Sequence, residues 1–188
     1  MTGLTHSVRN SLADRERTFA LGEDALHWRD DKGEGTMPYA DVRDMRLISY
    51  ASPNGTCFQC TLGGKSGDKV KLRSQHYASL NNFEDRRQSY APFVRELASR
   101  VAARSPEAAF IAGSTGLWIV WLIVGVLCAG FVLLLILSLF EDLPPIGAWV
   151  IAAAVVLASL PLAWREMKAG AARRFDPAAP PPELLGTG

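Results

Sequence analysis

Cysteine and histidine are scarce in this sequence, three of each among 188 residues. His6, His27 and His76 are scattered, so no nucleophile–base pair can be assembled from their spacing. CFQC (57–60) has the C-x-x-C spacing of half a zinc site, yet a tetrahedral site needs two further Cys or His ligands. On a strand, residues three apart point to opposite faces. Cys57, Gln59 and Thr61 then share one side, while Phe58, Cys60 and Leu62 share the other. The second set is apolar and faces the core, so Cys60 reads as a small buried hydrophobe and Cys57 as outward-facing. A redox C-x-x-C belongs at a helix N-terminus in a βαβ setting, which the flanking pattern lacks. Neither a metal nor a structural disulfide is expected.

The next absence is a glycine. GKS (64–66) is the core of a phosphate-binding loop, G-x-x-x-x-G-K-[ST], which wraps phosphates with backbone amides before a helix begins. Five residues before Gly64 stands Gln59, and KVKLR (69–73) alternates like a strand. GGKSGD therefore reads as a hairpin turn. An excess of one charge is missing too: residues 1–110 hold sixteen Lys/Arg and fourteen Asp/Glu, little footprint for nucleic acid. Asp41 and Asp44 with Arg43 and Arg46 read as a solvated mixed-charge face, and the pairs Asp30-Asp31 and Glu84-Asp85 as turn or helix caps. No catalytic residue, cofactor or metal is expected, and the chain is not read as an enzyme.

The longest absence is of charge itself. From Ile111 to Phe140 no residue is charged, and after Glu141 and Asp142 none is charged from Leu143 to Trp164. Roughly 20 apolar residues cross a hydrocarbon core of about 30 Å, so 117–140 and 146–164 are expected to form a transmembrane hairpin, turned at 141–145 by Pro144 and Pro145. Trp118, Trp121, Trp149 and Trp164 lie near the expected interfaces. Arg95, Arg100 and Arg104 on one flank, with Arg165, Lys168, Arg173 and Arg174 on the other, place both termini in the cytoplasm of a multi-pass inner (plasma) membrane protein. MTGLTHSVRNSLADRERTF has no apolar signal-peptide core.

What is present before the spans is a run of short segments. A polar arm (1–14), expected to be flexible, precedes TFAL, ALHW, ADVRDMRLISY, CFQCTL and KVKLR, divided by Gly, Asn, Asp and Pro, the pattern of an antiparallel meander. In YAPFVRELASRVAAR (90–104), Tyr90, Phe93, Val94, Leu97 and Val101 make one apolar helical stripe, suited to covering the sheet. Pro92 belongs in a first turn, which puts the start near Ser89 or Tyr90. Residues 15–106 are read as one domain and 107–116 as a linker. The tail 165–188, with DPAAPPPELLGTG, is expected to be disordered.

Strands first and one closing helix, with MPYADVRDMRL and FEDRRQSYAPFVREL, resemble uncharacterised bacterial membrane proteins that carry a small pleckstrin-homology-like (PH-like) cytosolic domain. The resemblance spans roughly 17–164. It implies an α+β membrane protein: a small antiparallel β domain closed by a C-terminal amphipathic helix, then a two-helix transmembrane hairpin. It also implies a non-catalytic binding or scaffolding role, as an accessory subunit of a membrane complex, and brings no catalytic residues. The other reading is a membrane enzyme whose site carries no recognisable motif.

One feature points to binding. In KVKLR, Lys69, Lys71 and Arg73 alternate with Val70 and Leu72, placing three cations on one outward strand face. They are the candidate contacts to anionic lipid of the bilayer or to a membrane or cytosolic protein. Nucleic acid is not expected; small residues such as Gly125 and Ala129 leave a homo-oligomer open.

Overall fold

The computed structural model describes residues 4–79, 82–113 and 172–187, with five isolated helical positions between 123 and 132. Four strands open the chain: β1 (Thr5–Val8), β2 (Arg17–Leu21), β3 (Ala25–Asp30) and β4 (Gly33–Pro38). They pair consecutively as an antiparallel four-stranded sheet. A 3-10 turn at Tyr39–Asp41 leads into β5 (Val42–Ser52), β6 (Gly55–Gly64) and β7 (Lys69–Arg73), a second meander. A hairpin of β8 (Gln75–Ser79) and β9 (Asn82–Asp85) precedes the helix α1 (Arg87–Arg104). After it, β10 (Ala109–Ala112) joins β5 in parallel, and β11 (Arg173–Arg174) joins β10. The second sheet thus runs β11-β10-β5-β6-β7.

Local chemistry explains the breaks. Asp30 Oδ1 accepts the Lys32 N–H at 2.9 Å, an Asx turn joining β3 to β4. Asp85 starts the helix: its Oδ1 accepts the Arg87 N–H at 2.9 Å, filling one of the orphan donors of the first turn. The Arg87 side chain also bonds Asp85, which holds that carboxyl below the usual aspartate range. This cap lies upstream of the expected start, so α1 begins at Arg87 and Pro92 falls inside it. The stripe Tyr90, Phe93, Val94, Leu97 and Val101 is fully buried. It packs in one apolar cluster with Phe19, Leu26, Met45, Leu47, Leu62 and Leu72 from both sheets.

The expectation of an α+β membrane protein with a two-helix transmembrane hairpin is corrected. The structure is mostly β, 48% strand, and α1 is the one complete α-helix among the described residues. Among the described residues no helix is long and apolar enough to cross a membrane. At 18 residues α1 has nearly the length, but Arg87, Arg95, Glu96, Arg100 and Arg104 lie along it. The placement as a multi-pass inner-membrane protein with both termini cytoplasmic is withdrawn with it. The segments 117–140 and 146–164 that suggested it lie outside the described residues. Hydropathy measures preference for an apolar surrounding; a helical span also requires a continuous helix of sufficient length.

Two further expectations change. The arm expected to be loose contains β1, because His6 and Val8 alternate with Thr5 and Ser7 and point into the interior. The tail expected to be disordered contains β11, a 3-10 turn at Pro182–Leu184, and the buried Leu184 and Leu185. Phe175 meets Phe110 edge-on, with ring centroids 5.7 Å apart. Prolines disfavour helix interior and ladder, but not packing of the leucines that follow them.

Gly186 shows how closely the tail is seated. It sits at φ +74°, and a Cβ there would lie 2.6 Å from Phe58 Cε2 and 2.8 Å from Arg87 Cδ. The left-handed conformation alone costs an alanine about 1–2 kcal/mol. Gly186→Ala is expected to lower unfolding free energy by at least that amount in urea titrations, and an unchanged midpoint would refute this seating.

Candidate functional site: a cationic sheet face

The interior takes one side of the five-stranded sheet, and strand alternation decides what lies on the other. On β6, Phe58, Cys60 and Leu62 join the core cluster, leaving Cys57, Gln59 and Thr61 on the outward side. Register extends this face across the neighbours: Arg46 and Lys71 flank Thr61, while Ile48 and Arg73 flank Gln59. Ile111 of β10 is the partner of Arg46, and Arg174 of β11 the partner of Ile111. Five cations, Arg46, Lys69, Lys71, Arg73 and Arg174, therefore share one surface. Among the described residues none of the five has a carboxylate within 4 Å. Asp44, on the same face above Gly63, is paired with Arg43 at 2.8 Å.

Lys69 and Lys71 are exposed, whereas Arg73 is half-buried and held in place. Arg73 Nε donates to Gln59 Oε1 at 3.0 Å, and its Nη1 to the Asn10 carbonyl at 2.6 Å. Its guanidinium lies over the Tyr50 ring, 5.8 Å from the centroid. The Gln59 amide donates in turn to Thr61 Oγ1 at 3.1 Å. All of these partners are neutral, so Arg73 keeps its charge uncompensated while losing its freedom. Side chains two apart on a strand stand about 6.6 Å apart, and Arg46 lies two strand spacings, about 9.5 Å, from Lys71. Along β7 this is a ladder of positive charge with one anchored and two exposed rungs.

The sequence placed Lys69, Lys71 and Arg73 together; Arg46 and Arg174 were missed. Alternation of Arg46, Ile48 and Tyr50 against Met45 and Leu47 was the available signal for Arg46. Nothing local could have brought in Arg174, which reaches the sheet from far along the chain.

The candidate chemistries end elsewhere. GGKSGD is a hairpin turn in which Gly64 N–H donates to Asp68 O at 2.8 Å. Cys57 is outward-facing but covered, 2% exposed, and both it and Cys60 are free thiols. Complete burial pushes the Cys60 thiol far up, so it stays protonated. Among the described residues no group of His, Cys, Asp and Glu could hold a metal ion.

A cleft of about 400 Å³ lies between the β1–β2 loop and β8, lined in part by Arg9, Asp14, Arg15, Glu16, Asp31 and His76. Its charges are turned on one another. Arg15 pairs with Asp31, and Arg9 donates to the carbonyls of Leu12 and Asp14 at 2.9 Å each. His76 Nδ1 accepts the Arg9 backbone N–H at 3.2 Å. Comparison with protein-family models, curated proteins and solved structures finds no match.

Proposed function

We propose that this chain is a non-catalytic binding or scaffolding module whose cationic sheet face engages an acidic protein partner. The observation that carries the reading is the set of five cations on one sheet face without acidic partners among the described residues. The rise of about 6.6 Å from Lys69 to Lys71 to Arg73 equals the alternate-residue repeat of an extended chain, so carboxylates at every second position of such a chain can meet them in register. The elements run four strands, then three, then the β8–β9 hairpin and one covering helix; of the resemblance to PH-like domains only the binding role is carried over here.

The strength of the contact follows from its exposure. Each exposed ion pair contributes about 0.2–1 kcal/mol, so removing three cations weakens an acidic partner roughly tenfold. The test is binding of the full chain to fluorescent polyglutamate at low salt. Arg46→Gln/Lys69→Gln/Lys71→Gln should lose about tenfold in affinity, and raising the salt should weaken the parent protein in the same direction. Equal affinity of parent and triple variant would overturn the reading. Retention on phosphatidylglycerol vesicles but not on polyglutamate would assign the face to lipid headgroups instead.

A further inference from the structure

Sheet pairing decides where the backbone of β7 points. Ser74 N–H donates to Phe58 O at 2.9 Å, and Gly64 N–H to Asp68 O at 2.8 Å. In an antiparallel pair, bonded and non-bonded positions alternate. The bonded pairs between these two anchors are therefore Cys60–Leu72 and Leu62–Val70, and Lys69, Lys71 and Arg73 occupy the non-bonded ones. Their N–H and C=O groups are directed away from β6, along the outer edge of the sheet. At one end that edge is closed by side chains: Arg73 O accepts His6 Nε2 at 2.9 Å, and Lys71 O accepts Asn10 Nδ2 at 3.4 Å. Among the described residues nothing meets the N–H of Lys69 or Lys71, or the C=O of Lys69. The opposite edge of the same sheet already carries two short added strands, β10 and β11.

We infer that the free edge of β7 at Lys69–Lys71 takes a short extended segment of an acidic partner protein as an added strand. The inference rests on the binding role proposed above and names the partner's conformation. In such a complex the residue opposite Lys69 exchanges both backbone hydrogen bonds with it, the residue opposite Lys71 accepts its N–H, and both place their side chains on the cationic face. Acidic residues fit there, alternating with an apolar residue opposite Val70. A second copy of β7 does not fit, because lysines would stand against lysines; lysine on an edge strand discourages such self-pairing. Main-chain bonds give such a strand its hold and alternate side chains its selectivity.

The experiment uses the full chain and the peptide acetyl-TEVEVET-amide, read by amide hydrogen exchange and by fluorescence titration. Added peptide should slow exchange at Lys69 and Lys71 at least tenfold. A peptide N-methylated at alternate residues, with its charges intact, should lose at least tenfold in affinity, as should TKVKVKT. Lys69→Gln/Lys71→Gln should weaken the acidic peptide about fivefold. Binding without slowed exchange, indifferent to N-methylation, would overturn strand addition and leave the cationic face standing. Failure of both this peptide and polyglutamate to bind would overturn strand addition and the binding role together. Failure of the peptide alone, with polyglutamate still bound, would overturn only the added strand.

Discussion

Leu185→Ala is expected to lower the unfolding free energy by about 2–5 kcal/mol, the range for removing a fully buried leucine side chain. Leu185 has no exposed surface and belongs to the core cluster, beside a residue whose missing Cβ is required by Phe58. The Phe110–Phe175 contact and the pairing of β10 with β11 hold the same segment from its other end. A small domain is stable by only about 5–15 kcal/mol, so this one substitution removes a large share. Urea denaturation followed by tryptophan fluorescence measures it, with Leu12→Ala, at an exposed position, as the reference. A loss below about 0.5 kcal/mol would mean the tail contributes nothing to the fold.

The second large effect is sensitivity to acid through His6. The ring is 1% exposed, with Nε2 2.9 Å from Arg73 O and Nδ1 2.9 Å from Ser89 Oγ. Facing a carbonyl, Nε2 must carry the hydrogen, which leaves Nδ1 of the neutral ring to accept from the Ser89 hydroxyl, in competition with the Arg86 carbonyl 3.1 Å from the same oxygen. Burial disfavours the imidazolium and outweighs the favourable bond to Arg73 O, so the pKa falls below its ordinary 6.5. The unfolded chain then takes up the proton first. Stability is complete above the unfolded value and is lost as pH falls through 6.5 toward the lowered folded value. The slope in that window approaches about 1.4 kcal/mol per pH unit. Below the folded value both states are protonated and the loss from this residue stops growing. His6→Gln, which keeps a donor for Arg73 O, should flatten the pH dependence of the urea midpoint between pH 7 and 5. An equally steep profile in the variant would place the acid sensitivity elsewhere.

Some of this architecture could be read from the chain because one period suffices to state it. The stripe Tyr90, Phe93, Val94, Leu97 and Val101 is helical in spacing and buried in fact. Cys57 to Leu62 and Lys69 to Arg73 alternate, and alternation separates core from surface without knowledge of the partners. His6 escaped because histidine carries no fixed preference for the interior. Its burial depends on a carbonyl from β7 and a hydroxyl from α1, both more than sixty residues away. The leucines of the tail escaped because two apolar residues after three prolines form no period at all. The charge-free runs misdirected the fold class, since apolarity along a chain is compatible with more than one surrounding.

By itself, then, the sequence determined the facing of residues within each element: which side of β6, β7 and α1 is apolar, and that Lys69, Lys71 and Arg73 stand together. Tertiary structure decided which strands became neighbours, and so that Arg46 and Arg174 join those three and that, among the described residues, the edge of β7 has no strand beside it. The physical reason is that side-chain direction follows from backbone geometry over a few residues. Strand order and register depend on the free energy of burying surfaces that lie far apart along the chain.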